Sequence, residues 1–325
     1  MVYYCLWILL LRFYLQLCYF KTDQIQETMA WVREDDRTWI QKLCMNVLKQ
    51  GPIPKHIGFI MDGNRRYAQK SAVANIQGHV KGFEKLTETL RWCWDFGVTE
   101  LTVYVFSIEN FKRPKEEVDG LMKLAKEKFE KLLEENERLQ EQGVCVQIIG
   151  DWSLVPPGLR PLMAKVMILT RHNSKAKLNV AFAYTSRNEI TRGIRSIEKG
   201  LFDGDISLED VSEDLLEGSF RILPSQPLDL LVRTSGETRL SDFLLWQSSE
   251  TVLCFTKVLW PEFTIWHLMA AMFNYQVNYM SIKQLKLVSS LSDIDSKEDV
   301  RKNSFIADHA DKIWLQLEKE AAVLS

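Results

Sequence analysis

The stretch KHIGFIMDGNRRYAQK, Lys55 to Lys70, decides how the rest of the chain is read. A short apolar run, Ile57 to Met61, ends on a single carboxylate, Asp62. Gly63, Asn64 and the adjacent pair Arg65 and Arg66 follow. An apolar run of this length stopped by a turn signal reads as a buried strand. No second Asp stands nearby, and there is neither a glycine-rich P-loop nor a Lys-Ser/Thr pair. The same kind of run recurs at Leu101–Phe106, Val144–Ile149, Leu178–Tyr184, Asp229–Arg233 and Val252–Phe255. Helical patterns lie between, at about Gly82–Phe96, Lys115–Gln142, Gly158–Asn173, Arg187–Lys199 and Leu208–Glu217. Strands that are continuously apolar and alternate with helices predict an α/β fold. Its centre is a mostly parallel sheet flanked by helices.

With 325 residues, 46% of them hydrophobic, the chain is long enough for one large domain with terminal extensions. The net charge of −2 argues against a general polyanion binder, so no nucleic acid is expected as a partner. Any phosphate site must be a local cluster. The six cysteines form no Cys-x-x-Cys pair, which favours buried free thiols over zinc.

Four segments follow from the pattern. Residues 1–28 are an apolar extension, with Met1 to Phe20 broken only by Arg12 and Gln16. Their length matches the ~20 residues of a membrane helix. An interior arginine costs about 2.5–3.5 kcal/mol on insertion scales. A membrane anchor and an upstream extension ahead of a working start at Met29 both stay open. Residues 29–51 form an amphipathic helix, its stripe carried by Trp39, Ile40, Leu43, Cys44, Val47 and Leu48 and closed by Gly51 and Pro52. Residues 52–263 carry the alternating strands and helices as the main domain, and residues 264–325 are expected to be a helical C-terminal tail.

Ligands of open α/β sheets bind beyond the carboxyl ends of the strands. Those ends carry Asp62-Gly63-Asn64-Arg65-Arg66, then SIENFKRP at Ser107–Pro114, AYTSRNEI at Ala183–Ile190, and RTSGETRLSDFLLWQ at Arg233–Gln247. Guanidinium forks take phosphate oxygens in pairs, and helix N-termini add partial positive charge. Asp62 among these cations would repel a phosphate unless a divalent cation sits between them. Mg²⁺ binds through one or two carboxylates plus phosphate oxygens. Arg65, Arg66 and Arg113 form one group by position, and Arg233 and Arg239 with Ser235 and Ser241 another. Two groups and one metal suggest two diphosphates, and transfer of an organic group with diphosphate leaving.

The ordered motifs HIGFIMDGNRRYA, FSIENFKRP, FAYTSRNEI, DLLVRTSGETRLSDFLLWQ and LWPEF resemble those of the cis-prenyltransferases, the undecaprenyl/dehydrodolichyl diphosphate synthase family. The resemblance runs from about Met29 to beyond Pro261 and is strongest to the catalytic subunits of animal members. It implies a hydrophobic tunnel enclosed by sheet and helices. It implies Mg²⁺-dependent condensation of farnesyl diphosphate with successive isopentenyl diphosphates. The product would be a long-chain polyprenyl diphosphate for dolichol and protein glycosylation. Asp62 would hold Mg²⁺ and assist ionisation. Gly63, Arg65, Arg66 and Arg113 match the allylic diphosphate site, and Arg233, Arg239 and Ser241 the isopentenyl site. Asp62, Arg66 and Arg113 are shared between the two. Asn110 matches a position that assists proton removal. His79, in GHVKG, matches a position near the substrate, while a helix-cap role is the competing reading.

The chain also departs from the bacterial pattern. Val252 stands where a second metal-binding glutamate is found, and Thr185-Ser186 replaces Gly-Gly. No glycine follows Gly236, so the C-terminal Arg-x-Gly of self-sufficient members is missing. The resemblance therefore implies a partner subunit similar to the Nogo-B receptor that supplies this motif, at the cytoplasmic face of the endoplasmic reticulum membrane. The alternative is a non-catalytic isoprenoid-binding or scaffold subunit. From sequence, Asp62→Ala should abolish turnover and leave the fold intact.

Overall fold

The computed structural model describes residues 37–220, 225–292 and 300–324. The apolar segment 1–28 lies outside the described residues. Each of the six apolar runs forms a strand: β1 (His56–Ile60), β2 (Glu100–Ser107), β3 (Val144–Ile149), β4 (Ala176–Tyr184), β5 (Leu230–Arg233) and β6 (Val252–Phe255). They make one sheet in the order β3-β4-β2-β1-β5-β6, parallel at every pairing.

From β1 the chain steps outward to β2, β4 and β3, then returns to the other side of β1 for β5 and β6. The order therefore reverses between β1 and β5, and a crevice opens where strands part in this way. Ile60 at the end of β1 pairs with Arg233 at the end of β5. The topology alone thus brings the loop carrying Asp62 beside the loop that follows Arg233.

The helices are α1 (Trp39–Leu48), α2 (Asn64–Lys70), α3 (Asn75–Phe96), α4 (Lys115–Glu134), α5 (Asn136–Gln142), α6 (Arg160–Thr170), α7 (Ser186–Asp203), α8 (Glu213–Phe220), α9 (Ile265–Ser292) and α10 (Val300–Ala321). The sequence pattern does not announce α2, whose seven residues are too few to display an apolar stripe. The single helix expected over Lys115–Gln142 breaks at Glu135 into α4 and α5. The one expected over Leu208–Glu217 also divides. Ser207 and Asp210 close a reciprocal cap around a 3₁₀ turn, and α8 starts afresh at Glu213.

Successive side chains of a strand face opposite ways, and this sheet has two unlike faces. One is apolar throughout. Ile57, Phe59, Leu101, Val103, Val146, Ile148, Leu178, Val180 and Phe182 join the main core. Leu86 of α3, Phe129 of α4, Met163 of α6 and Leu268 and Met272 of α9 pack in the same core. The 264–325 segment is thus part of the hydrophobic interior, through α9 and through Trp314 and Leu317 of α10.

The other face carries a buried polar network. His56 Nε2 lies 2.7 Å from Thr102 Oγ1, and Asn179 Nδ2 donates to Glu100 Oε1 at 2.7 Å and to Thr102 Oγ1 at 3.0 Å. Lys177 Nζ stands 3.6 Å from Glu100. Among the described residues no helix is long and apolar enough to cross a membrane.

Candidate active site

The Asp62 loop is fixed mainly through its backbone. Asp62 N–H donates to Thr234 Oγ1 at 3.0 Å, and that hydroxyl donates back to Asp62 C=O at 2.7 Å. Trp260 N–H reaches the same carbonyl at 3.0 Å. Thr234 is fully buried, so one hydroxyl stitches the ends of β1 and β5 together. Gly63 follows in the left-handed region, at φ 108°, against Leu259. This conformation is open to glycine at no steric cost. It turns the chain directly into α2, which carries Arg65 and Arg66.

Helix α3 comes unusually close to the start of α2. A Cβ built on Gly78 would lie 2.3 Å from Asn64 C=O, and Trp260 Nε1–H donates to Gly82 C=O at 2.7 Å. The glycines of GHVKG are the seam on which α2 rests.

The carboxylate of Asp62 is held at both oxygens. Oδ1 accepts from Gly63 N–H at 2.7 Å, and Oδ2 accepts from Arg233 Nη2 at 2.9 Å with Arg66 Nη2 3.8 Å away. Burial by itself would raise this carboxyl. The Arg233 guanidinium, the Gly63 N–H and Arg66 together outweigh it and keep the group below its ordinary value. Asp62 is therefore an ionised hard oxygen donor.

Arg233 is only 3% exposed, and its Nη1 donates to Ser241 Oγ at 2.6 Å and to Arg239 C=O. Its Nε is buried with no partner among the described residues. Arg66 Nη1 donates to Ser235 C=O at 3.0 Å, and its Nη2 to Ser235 Oγ. Arg66 thus reaches across to the second arginine group instead of staying with Arg65. Arg113 and Arg65 share Glu117, at 3.1 Å and 3.9 Å.

Asn110 lies in the 3₁₀ turn Ile108–Lys112, and its Oδ1 accepts from Ser107 N–H at 3.1 Å. His79 stands in the second turn of α3, whose N-cap is Ala74, so it is not a helix cap. Burial, then Arg113 and Arg65 against Glu117, push its imidazole down to about 4, and its buried Nε2 has no partner among the described residues. The ring is neutral at neutral pH. A base whose folded pKa is depressed stabilises the fold fully above the unfolded value near 6.5 and progressively less as pH falls toward 4. His79→Gln should therefore flatten part of the fall in melting temperature between pH 6.5 and 4; an unchanged slope would refute this.

Backbone strain gathers at the same strand ends. Of the six described non-glycine residues with left-handed φ, Ala72 lies after α2, Ala183 is the penultimate residue of β4, and Ser235, Ser241, Asp242 and Leu244 follow β5. Each is held against its cost of about 1–3 kcal/mol by surrounding bonds. Asp242 C=O accepts from Ser186 N–H at 2.7 Å, its carboxylate takes Arg187, and Leu245 N–H donates to Ser186 Oγ at 2.8 Å. Ser186 therefore clamps the Ser241 loop.

Glu250 lines a different cavity, of about 240 Å³, on the polar face of the sheet beside Gln147, Asn179 and Trp246. Three residues of the site escaped sequence reasoning: Glu117, Glu237 and Thr234. Glu117 had a signal, lying four residues after Arg113 on a helix start. Glu237 had one too, standing between Arg233 and Arg239.

One carboxylate with flanking guanidiniums suits a hard cation that completes its coordination with phosphate oxygens. Among the described residues no group of three or more His, Cys, Asp or Glu could hold a metal by itself. The donor set fits Mg²⁺ only as a bridge to a diphosphate.

Comparison with known proteins agrees with this arrangement. Residues 60–282 match the family described as "Putative undecaprenyl diphosphate synthase". The chain is 50% identical over 258 residues to a dehydrodolichyl diphosphate synthase complex subunit of Homo sapiens, covering 79% of this chain and 78% of that one. It is 43% identical to the corresponding complex subunit of Schizosaccharomyces pombe, over 73% of this chain and 90% of that one. The crystal structure of lavandulyl diphosphate synthase from Lavandula x intermedia, in complex with dimethylallyl diphosphate, superposes with a TM-score of 0.65 at 30% identity, covering 69% of this chain and 95% of that one. With both sequence and sheet matched over most of its length, the chain belongs to the undecaprenyl diphosphate synthase family and is a cis-prenyltransferase.

Proposed function

We propose that the crevice between β1 and β5 binds two diphosphates and lengthens an allylic chain with isopentenyl units, giving a long polyprenyl diphosphate of the dehydrodolichyl type. The observation that carries this is the convergence of Asp62, Arg66 and Arg233 at one switch point, with Arg66 bonded into the loop after β5. Farnesyl diphosphate would lie with its phosphates against Gly63, Arg65, Arg66 and Arg113. Isopentenyl diphosphate would lie against Arg233, Arg239 and Ser241.

Mg²⁺, when bound, would neutralise phosphate charge and make diphosphate a better leaving group. Asp62 would hold it, and Arg66 and Arg113 would take the charge that grows as the C–O bond breaks. Fixed cations help most where charge develops. Asn110, its Oδ1 tied into the turn, would orient the isopentenyl group for proton loss. His79, neutral, would lie near the substrate as a polar contact. The apolar face of the sheet between α3 and α4 would take the growing chain, a reading supported by half-buried Leu90, Leu121, Met122 and Ala125 along it.

The relatives named as complex subunits support a heteromer, here with a partner similar to the Nogo-B receptor that brings the Arg-x-Gly motif. So does the surface. β6 is a sheet edge with exposed Leu253 and Phe255, and α9 separately exposes Trp266, Phe273, Val277 and Met280. Apolar surface beside an open edge invites a partner. Phe273→Glu with Val277→Glu should leave the melting temperature within a few degrees and abolish co-purification with the partner; retained assembly would sink this assignment.

Because the product is a long hydrocarbon, its release is proposed at the cytoplasmic face of the endoplasmic reticulum membrane. The test of the whole reading is incorporation of labelled isopentenyl diphosphate onto farnesyl diphosphate with partner and Mg²⁺ present. Absence of a Mg²⁺-dependent polyprenyl product would overturn it.

A further inference from the structure

Glu237 sits on the tight turn after β5, where Ser235 and Gly236 both have a φ of 78°. Its Oε1 lies 3.5 Å from Arg66 Nη2, and its Oε2 accepts from Arg239 Nη1. One carboxylate therefore joins an arginine of the proposed allylic half-site to an arginine of the isopentenyl half-site.

The fold does not need this contact. The turn is held by backbone bonds, Ser235 N–H to Val258 C=O at 2.7 Å and Gly236 N–H to Thr256 C=O at 2.8 Å. The two guanidiniums are 45% and 66% exposed, a setting in which ion pairs contribute little to stability. Glu117 differs. It is only 13% exposed and anchored in the first turn of α4, where it acts as scaffold for Arg113 and Arg65.

Charge makes the distinction matter. Five arginines (65, 66, 113, 233 and 239) face three carboxylates (62, 117 and 237), which leaves a surplus of two positive charges for two diphosphates. Asp62 is committed to the metal and Glu117 to the scaffold. Only Glu237 stands on a loop, half-buried, against exposed guanidiniums that the substrates would use.

We infer that Glu237 is a competing carboxylate: it pairs with Arg66 and Arg239 until diphosphate displaces it, and so sets the affinity of both half-sites for diphosphate. Phosphate oxygens bind a guanidinium fork bidentately and more strongly than an exposed carboxylate does, so the exchange runs forward on binding. On release of inorganic diphosphate the carboxylate returns and speeds departure. This inference rests on the proposed diphosphate site.

The test is calorimetric titration of the full chain with inorganic diphosphate, together with steady-state kinetics. Glu237→Gln should bind diphosphate about 3- to 30-fold more tightly, as expected for the loss of two exposed ion-pair competitors. KM for both substrates should fall while kcat falls or holds, a split that a merely structural role would not produce. Glu237→Asp should keep the wild-type affinity. Glu109→Gln removes the same charge from a lysine pair on the neighbouring strand-end turn and should leave affinity unchanged. Equal or weaker binding by Glu237→Gln would overturn the inference while leaving the site reading intact. An equal gain in Glu109→Gln would also overturn it, by showing a general field effect. Wild-type protein that binds no diphosphate would overturn both.

Discussion

Asp62→Asn is expected to fold, to melt below the wild type but above Asp62→Ala, and to lose at least about 10²–10³-fold in turnover. The amide keeps one oxygen, which can accept from Gly63 N–H, while its NH2 faces Arg233, a guanidinium that still has Ser241 Oγ and Arg239 C=O; it lacks the charge needed to hold a divalent cation against a diphosphate. Labelled isopentenyl incorporation and a thermal melt check the two halves of the expectation. Activity within tenfold of wild type would remove Asp62 from the mechanism.

Asp62→Ala, which from sequence alone reads as a clean test, is not one. It strips the anion from Arg233, a guanidinium that is 3% exposed. Breaking a buried pair from one side costs about 3–5 kcal/mol. Here Ser241 Oγ and Arg239 C=O still serve the guanidinium, which lowers that cost without cancelling it. Lost activity in the alanine variant would therefore mix chemistry with folding. The same pair has a pH signature. The Asp62 carboxyl is depressed in the folded state, so its stabilisation is present above the unfolded value near 3.9 and disappears as pH falls through the lower folded one.

Gly78→Ala should be the second large effect, although residue 78 touches no substrate in the proposed site. The new methyl carbon would sit 2.3 Å from Asn64 C=O and 3.0 Å from Ala68 Cβ. A backbone carbonyl cannot rotate aside as a side chain does, so α2 must move by about an ångström and take Arg65 and Arg66 with it. Misplacement on that scale costs about 10²-fold in rate. Overpacking adds about 1–3 kcal/mol of destabilisation, against about 1 kcal/mol gained in helix propensity. The net sign is loss on both counts. Gly120→Ala on α4 is the control, because its Cβ would meet only Ile76 Cδ1 at 3.7 Å. That variant should be neutral or slightly stabilising. If Gly78→Ala behaves like it, the seam is not what positions the arginines.

The sequence was most legible where one force acts alone. All six strands appeared because burying an apolar run leaves few other options, and their ends fell within a residue or two of the expected ones. Asp62, Arg66 and Arg233 could be grouped because the strand ends of an open sheet share one rim.

Legibility failed where local bonds compete with pattern. α2 is too short for periodicity and starts at Gly63 without a side-chain cap. The break at Glu135 leaves no proline or glycine in the sequence to mark it. Glu117 and Glu237 were overlooked because a search for phosphate contacts looks for cations, while arginines held ready for phosphate need anions beside them in the meantime. Thr234 looks like any strand-end threonine until the β1–β5 juxtaposition shows which loop its hydroxyl ties down.

The polar face of the sheet was hidden for a related reason. Thr102, Gln147 and Asn179 alternate with apolar neighbours inside runs that read as apolar on average, and Glu100 and Lys177 stand just ahead of two of those runs. Their arrangement has a consequence for assembly of the fold. An all-parallel sheet of valines and leucines could pair its strands in several alignments of similar energy. Here a slip of one residue would thrust Glu100 and Asn179 into the oily side and leave His56 facing leucine. The hydrogen-bonded cluster acts as a key that fits one alignment of three strands, β1, β2 and β4. It proofreads the sheet before the crevice at its edge can exist.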